Sequence, residues 1–312
     1  MGAQGIYGKL GLGKETTFGT GVDPTVFLPG TENIVINIPR DRDQQPNTGR
    51  APLAAETGRI EIAGTTNGMR AYPRGIGHLL RAALGDPNTS GSGPYTHVFD
   101  MPTGPISDQQ ALPSYSITRK AGSSVRRYTG GQLNSLTLNA AADGPVTFDA
   151  DWLFMDFVDG VADPTVVIEN ASPFRCADAA HKRAGAAFPY IESLTITLAN
   201  NLEAEGLQDG SCKPAAILLG PALLTVNMTL AFNAPSVYDD FKNNAPQAWE
   251  FAWVKAGGET LKIEVPKLNI ESYPDPLSAT GRLTVNVTGT AELDPAVGYP
   301  FRVTLINGEA SY

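Results

Sequence analysis

The glycine-rich segment Gly8–Lys14 is the first place where residue types and spacing suggest chemistry. Its glycines and its last lysine match the spacing of a phosphate-binding loop as far as that lysine. The next residue is Glu15, where such a loop needs a serine or threonine to hold magnesium, and a carboxylate there would repel phosphate. No strand pattern precedes the segment and no parallel α/β pattern follows it. We therefore expect a flexible N-terminal arm here rather than a nucleotide site.

Histidines and cysteines are too few and too scattered to predict a metal centre. No two of the three histidines have the i, i+4 spacing of metal ligands on a helix. The two cysteines, Cys176 and Cys212, cannot form a disulfide framework or a four-ligand zinc site. A single bridge between them is left open, although two reduced thiols are the expected state. We therefore predict no metal and no cofactor.

Two pairs of carboxylates have a spacing that acid–base or glycoside chemistry could use, Asp149 with Asp151 and Asp239 with Asp240. Carboxylates at i and i+2 of a strand lie on one face of it, and on an exposed face they are usually just solvated. No Gly-x-Ser-x-Gly elbow, which would present a nucleophile, occurs in the sequence. We therefore predict that the chain is not an enzyme and has no catalytic residues.

Length and composition favour a β-rich chain with many turns. The 312 residues are enough for two modules of roughly 150 residues each. Thirty-three glycines and 24 prolines disfavour a helical bundle and favour short strands and long loops. The net charge of −9 is opposite to the basic surface with which proteins grip nucleic acid. No apolar run reaches 18 residues, so no membrane-spanning helix is expected.

One pattern of elements occurs twice along the chain. An alternating strand opens it at Glu32–Ile38 and again at Glu192–Leu198, and a long polar loop follows each strand. A second strand, a short helix and a group of closing strands then follow in the same order. The closing strands of the second group include Leu261–Val265 and Leu268–Tyr273. We therefore predict a mainly β fold of two tandem β-sandwich or barrel-like modules, each with one short flanking α-helix and a long loop.

Two short helices are predicted from apolar spacing. The first begins near Pro73 and ends before Gly85, with apolar residues at i, i+3, i+4, i+7 and i+8. The second has Ser236 as its cap, with Asp239 three residues later. Its narrower apolar face is formed by Val237, Tyr238 and Phe241.

The polar faces of the predicted strands carry hydroxyl and amide groups and few cations. Threonine suits any exposed sheet face, so β-propensity alone remains an alternative explanation. A channel through which nucleic acid slides would need the same surface, because cationic groups would trap phosphates by releasing counterions. On this interpretation the residues that face the bore are Asp149, Asp151, Thr284, Asn286 and Thr288.

Several segments resemble the tail tube proteins of long non-contractile-tailed bacteriophages. They are Lys14–Thr20, the residues Pro24 and Phe27–Pro29 before the first strand, and Gly75–Leu80 in the first helix. The resemblance covers roughly residues 14–155 directly, and the second half through the repeat. It implies rings whose inner sheets join into a continuous barrel, and stacked rings that form a tube for the genome.

The resemblance also implies the partners and location of the chain. These are further copies of the same chain, the tape measure, terminator and distal tail proteins, and phage DNA that passes through the bore without specific binding. The chain would be assembled in the bacterial cytoplasm and reside in the virion tail. Most members carry one module and form hexameric rings, so two modules per chain predict a trimeric, pseudo-sixfold ring. The long loops and the termini are implied to contact adjacent rings, through residues such as Arg42, Gln45, Arg50, Leu202, Glu205 and Lys213.

The corresponding division of the chain has five parts. We predict an N-terminal arm at 1–21, a first module at 22–156, a connector at 157–187, a second module at 188–297 and a C-terminal arm or strand at 298–312. Two other functions remain open. One is a different virion structural protein, such as a minor tail, terminator or decoration protein. The other is a carbohydrate-binding or carbohydrate-acting β protein, which would need exposed aromatics, whereas Trp152, Trp249 and Trp253 are expected in the core.

Overall fold

The computed structural model describes residues 8–41, 55–101, 112–167, 169, 171–206, 210–232, 235–274 and 283–312. Within these ranges the chain is mainly β-structure with two short helices, as the sequence predicts. Three residues for which we expect inter-ring contacts, Arg42, Gln45 and Arg50, lie outside the described residues.

The first half of the chain, up to residue 159, contributes one helix and the strands that run before and after it. The elements are β1 (Lys9–Lys14), β2 (Val26–Phe27), β3 (Thr31–Asn37), β4 (Arg40–Asp41), β5 (Glu56–Thr57), β6 (Glu61–Arg70), α1 (Ile76–Leu84), β7 (Asn88–Ser90), β8 (Tyr95–Asp100), β9 (Tyr115–Ala121), β10 (Ser124–Ala141), β11 (Thr147–Phe154) and β12 (Asp156–Asp159).

The second half contributes the other helix and the remaining strands. The elements are β13 (Lys182–Arg183), β14 (Ala186–Ala187), β15 (Ile191–Ala199), β16 (Glu203–Gly206), β17 (Pro214–Leu218), β18 (Leu223–Ala231), α2 (Pro235–Asn243), β19 (Gln247–Val254), β20 (Thr260–Ser272), β21 (Thr284–Ala291) and β22 (Arg302–Asn307). A short 3-10 turn at Cys176–Asp178 lies between the halves.

One continuous antiparallel sheet runs through both halves, in the order β3–β6–β11–β10–β15–β18–β21–β20. The first four strands come from the first half of the chain and the last four from the second half. They meet where β10 pairs with β15, with Leu136 opposite Leu198 and Leu138 opposite Ile196. The two halves therefore share one sheet.

The strands of the two halves pair in the same order. β6 pairs with β3 and β11, and in the second half β18 pairs with β15 and β21. β10 pairs with β9, β11 and β12, and β20 pairs with β19, β21 and β22. β1 pairs with β9 as β13 pairs with β19. Strand pairing thus recurs along the chain in the way that the sequence pattern does.

The long strands β10 and β20 each run from the shared sheet into a second layer of strands. The pairing of β10 with β9 shifts between Tyr128 and Gly131, where Gly130 has a φ of 64° that residues with a Cβ rarely adopt. Leu261–Val265 and Leu268–Tyr273, predicted as two strands, lie on the single strand β20 and the residue after it. The intervening Pro266 falls where the pairing with β19 is irregular, and there its missing N–H breaks no ladder bond.

Residues Lys9–Lys14 of the glycine-rich segment form a strand, so the expectation of a flexible arm at these residues is wrong. β1 pairs with β9 along its whole length, and Leu12 is buried. A Cβ on Gly11 would lie 2.6 Å from the Cβ of Pro24. The glycines therefore allow close packing against the following segment. This packing explains why their spacing matches that of a phosphate-binding loop.

The helices lie at the two places that the sequence predicts. α1 ends before Gly85, whose φ of 97° suits a residue without a Cβ. α2 begins at Pro235, so the predicted cap Ser236 lies inside the helix, because the fixed φ of proline suits a first helical turn. Among the described residues, neither helix is long and apolar enough to cross a membrane.

The segment after β22 closes over α1. The Tyr312 ring lies edge-on to the rings of His78 and His97, at centroid distances of 5.1 and 4.8 Å. Its hydroxyl donates to the carbonyl oxygen of Arg74 at 3.0 Å. A Cβ on Gly77 would lie 2.0 Å from the Cζ atom of Tyr312, so this contact requires glycine at that position of the helix.

Alternating apolar residues of the shared sheet form the core. On β18, for example, Val226 and Met228 are buried while Asn227 between them is exposed. The three tryptophans, Trp152, Trp249 and Trp253, are 1–2% exposed, as expected of core residues. The alternation leaves a polar face on the opposite side of the sheet.

Candidate functional site

The polar face of the shared sheet carries all five residues that we predict to face a bore. Asp149 and Asp151 lie on β11, and Thr284, Asn286 and Thr288 lie on β21. Each alternates with buried neighbours along its strand, so the five side chains lie on the side of the sheet opposite the core. Whether this side faces a lumen stays a prediction.

Hydrogen bonds connect this face across the boundary between the halves. The Asp149 carboxylate accepts from the Gly68 backbone N–H at 2.7 Å and from Nδ2 of Asn139 at 2.8 Å. Asn139 in turn accepts from the Thr195 hydroxyl at 3.2 Å. Asn139 is on β10 and Thr195 is on β15, so the network spans the junction. These bonds fix the carboxylates in place as parts of a surface.

The second half continues the network with neutral groups. The Ser193 hydroxyl donates to Thr229 Oγ1 at 2.9 Å, and Thr229 donates to Oδ1 of Asn286 at 2.9 Å. Thr288 donates to Oδ1 of Asn227 at 2.7 Å. Hydroxyls and amides that already bond each other offer few free donors to a passing ligand.

The strands of the shared sheet are free of basic residues over most of their length. Residues 31–37, 61–69, 133–141, 147–154, 191–199, 223–231, 268–272 and 284–291 contain no lysine or arginine. Arg70, the exposed last residue of β6, is an exception on the polar face. Other basic residues lie on the second layer, in ion pairs such as Lys9–Asp163 and Arg126–Asp159. A face with carboxylates and few cations offers DNA phosphates little attraction by counterion release.

The junction between β10 and β15 shows how two such sheet segments join. The five apolar residues that meet there, Leu136, Leu138, Leu194, Ile196 and Leu198, are 1–5% exposed. The outermost strands of the sheet have no such neighbour among the described residues. β3 pairs only with β6, and residues 269–272 of β20 pair only with β21. The sheet thus presents one unpaired edge from each half of the chain.

The predicted loop residues of the second half lie apart from the polar face. Glu205 lies on β16, which pairs with β17 in a hairpin that folds back towards the first half. The Leu202 backbone N–H donates to Oδ1 of Asn134 at 2.8 Å. Lys213 Nζ donates to Asp156 at 2.6 Å. Leu202 and Lys213 therefore bond within their own chain, and inter-ring contacts of these residues stay a prediction.

Glu15 is a buried structural carboxylate. Its side chain is 6% exposed and accepts from Ser116 Oγ at 2.6 Å and from the backbone N–H groups of Gly19 and Gly130, both at 2.9 Å. Three donors on one carboxylate connect the end of β1 to β9 and β10. The Glu15 side chain therefore bonds within the fold.

The histidines are packed into the fold. Burial, together with the nearby charges of Arg81 and Lys14, lowers the pKa of His78 to about 4. Burial lowers the pKa of His181 to about 4 as well. Both are therefore neutral at pH 7. No group of three His, Cys, Asp or Glu side chains that could hold a metal ion occurs among the residues that the structure describes.

The remaining chemical candidates are also separate. Cys176 and Cys212 are free and exposed. Asp240 is bound to Arg183, whose Nε donates to it at 2.9 Å, while Asp239 is exposed, so the two carboxylates do not form a pair.

The apolar face predicted for α2 is only partly buried. Val237 is buried, whereas Tyr238 is 42% exposed and Phe241 is 36% exposed. Both rings contact Tyr273, at centroid distances of 5.3 and 6.4 Å. The sequence predicts both rings on the narrower apolar face of α2. The sequence feature that indicates this exposure is the smaller number of apolar residues in α2 than in α1.

Comparison with known proteins agrees with this geometry. A family model described as phage tail tube protein matches residues 7–294. A search of curated proteins found no match. The family match covers most of the chain and confirms the resemblance seen in the sequence. The chain therefore belongs to the phage tail tube protein family.

Proposed function

We propose that this chain polymerises as stacked rings into the tail tube of a phage with a long non-contractile tail, with three chains in each ring and the polar sheet face around the DNA channel. The family assignment supports a structural role in the virion tail. The partners would be further copies of the chain, the tape measure, terminator and distal tail proteins, and DNA that passes without specific binding.

The observation that carries the proposal is the junction of β10 with β15. Because strand pairing recurs in the two halves, β20 is the counterpart of β10, and β3 is the counterpart of β15. The unpaired edge of β20 in one chain and that of β3 in the next can therefore meet as β10 and β15 meet within a chain. Each chain adds two sheet segments, so three chains give six junctions around a ring. Edges that pair around a closed ring leave none exposed.

The polar face supports the assignment of the channel. A duplex must move along the bore during ejection, and every cation on the wall would retard it by binding phosphate. The strands of this face lack basic residues over most of their length, and the carboxylates Asp149 and Asp151 repel phosphate. Thr284, Asn286 and Thr288 complete a wall of neutral groups on β21.

The long loops are proposed to form contacts between rings. They leave the shared sheet at one end of its strands, after β3 and after β15, and this is where a stacked ring would meet it. Arg42, Gln45 and Arg50 belong to the first loop, and Leu202, Glu205 and Lys213 belong to the second.

Electron microscopy of the purified chain tests the proposal. We expect long hollow tubes, and rotational analysis of end views should give three chains per ring. Six chains per ring would refute the trimer. Rings that do not stack would support a terminator, and a chain that forms no rings at all would support another virion protein.

A further inference from the structure

Helix α2 exposes aromatic side chains at the open end of the core. Tyr238 and Phe241 lie one turn apart on the helix and are 42% and 36% exposed. Both rings contact Tyr273, which directly follows the last residue of β20. We call these three residues the aromatic cluster. Monomeric proteins seldom expose adjoining aromatic rings beside an unpaired strand, and such patches usually mark interaction sites.

The corresponding helix of the first half is covered. In α1 every residue except His78 is buried, and Leu79 and Ala82 are 1% and 0% exposed. Part of this cover comes from the second half of the chain, because Nδ2 of Asn200 donates to the carbonyl oxygen of Ala83 at 3.1 Å. Asn200 directly follows β15, the strand that pairs with β10. The strand that joins the sheet edge therefore also reaches the helix beneath it.

The other open edge of the sheet carries the complementary apolar residues. On β3, Ile34 and Ile36 lie on the core side and are only partly buried. Their counterparts on β15, Leu194 and Ile196, are 1% and 3% exposed, and that strand pairs with β10 at the internal junction. The core is thus closed inside the chain and incompletely closed at each outer edge.

We propose that the aromatic cluster is the docking surface for the β3 edge of a second copy of this chain, with Ile34 and Ile36 of that copy packed against it. This inference rests on the proposed function and adds the side chains that would seal each junction between chains. The partner is a second copy because β15, the counterpart of β3, pairs with β10 at the internal junction, and Asn200 directly after β15 bonds α1.

Substitutions on each side of the junction test the inference. The double variant Tyr238→Ser with Phe241→Ser removes the docking surface, and Ile34→Ser with Ile36→Ser removes the docking strand. Lys242→Ala is the matched control, since it removes an exposed side chain from the same helix. Loss of two apolar anchors should raise the concentration needed for ring formation at least about 100-fold in either double variant. The control should assemble like the wild-type chain.

Mixing the two double variants separates a lost contact from a lost fold. Each variant keeps the side that the other lacks, so equal amounts should form a dimer with one intact junction while each alone stays monomeric. Light scattering coupled to size exclusion measures this, and the thermal melt of each monomer reports its fold. A mixture that stays monomeric while both melts remain cooperative would overturn the proposed contact.

The remaining outcomes are also decisive. If the wild-type chain forms rings and the Tyr238/Phe241 variant forms them at the same concentration, the docking surface is wrong and the proposed function stands. Binding of a glycan that this variant loses without any change in assembly would assign the cluster to carbohydrate instead. A wild-type chain that never associates would refute the proposed function itself.

Discussion

Replacement of Gly77 by alanine should release Tyr312 from its site over α1. The added methyl group would lie 2.0 Å from Cζ of the ring and 2.3 Å from Cε1, far inside any real contact distance. These ring atoms belong to a rigid side chain that is held by the Arg74 carbonyl oxygen and by Nδ2 of Asn307. The ring cannot adjust by a few tenths of an ångström, so it must leave the site.

The cost follows from what the ring loses. Exposure of about 100 Å² of apolar surface costs about 2.5 kcal/mol, and loss of the two hydrogen bonds adds about 1 kcal/mol each. We therefore expect Gly77→Ala to lower the free energy of unfolding by about 3–5 kcal/mol. Without the Tyr312 side chain, Gly77→Ala should instead raise the free energy of unfolding, since alanine in a helix interior is favoured over glycine by up to about 1 kcal/mol.

A double-mutant cycle measures this coupling. Denaturant unfolding of the wild-type chain, Gly77→Ala, Tyr312→Ala and the double variant gives four free energies. Gly77→Ala should be strongly destabilising alone and neutral or stabilising in the Tyr312→Ala background. Equal destabilisation in both backgrounds would show that the methyl group clashes elsewhere, and would refute the assigned packing.

Four further outcomes are expected. His78 and His181 have folded-state pKa values near 4, against about 6.5 in the unfolded chain, so the unfolded chain binds more protons between these two values. The free energy of unfolding should therefore decrease as the pH is lowered from about 6.5 to about 4, by up to about 3 kcal/mol per histidine. A His181→Gln variant whose pH dependence matches that of the wild type would contradict this. Glu15→Ala should destabilise the chain by about 2–4 kcal/mol because three buried donors lose their acceptor, whereas Glu15→Gln should cost less in the same denaturant titration. Asn200→Leu should cost about 2–3 kcal/mol, since two buried carbonyl oxygens lose a donor, and an unchanged melt would show that water replaces it. Tubes of Thr288→Lys should retain duplex DNA at low salt while wild-type tubes retain none, and equal retention would place Thr288 outside the bore.

The sequence predicts the strands of the shared sheet well because each has one buried and one polar face. Period-two alternation at Glu192–Leu198 or along β18 specifies both the strand and the side that faces the core. The same signal placed Asp149 and Thr284 on the polar side. These predictions needed no knowledge of pairing partners.

Features that depend on distant contacts were not predictable. The sequence predicts a flexible arm at Lys9–Lys14 because the segment contains the glycines Gly11 and Gly13, and only its pairing with β9 shows the strand. Pro266 suggests a break in β20, yet the strand continues because its partner is irregular at that point. The exposure of Tyr238 depends on which other elements pack against α2, and the periodicity of the helix sequence does not show this.

Both sheet segments that meet at the β10–β15 junction belong to one polypeptide. A substitution in one segment therefore leaves the sequence of the other segment unchanged. The carboxylates Asp149 and Asp151 lie on the first segment, while the counterpart strand of the second carries Thr284 and Asn286. In the proposed ring, the carboxylates of β11 and the neutral groups of β21 would then alternate around the axis. A DNA duplex in the bore would experience an electrostatic field with threefold periodicity inside a wall whose backbone is nearly sixfold.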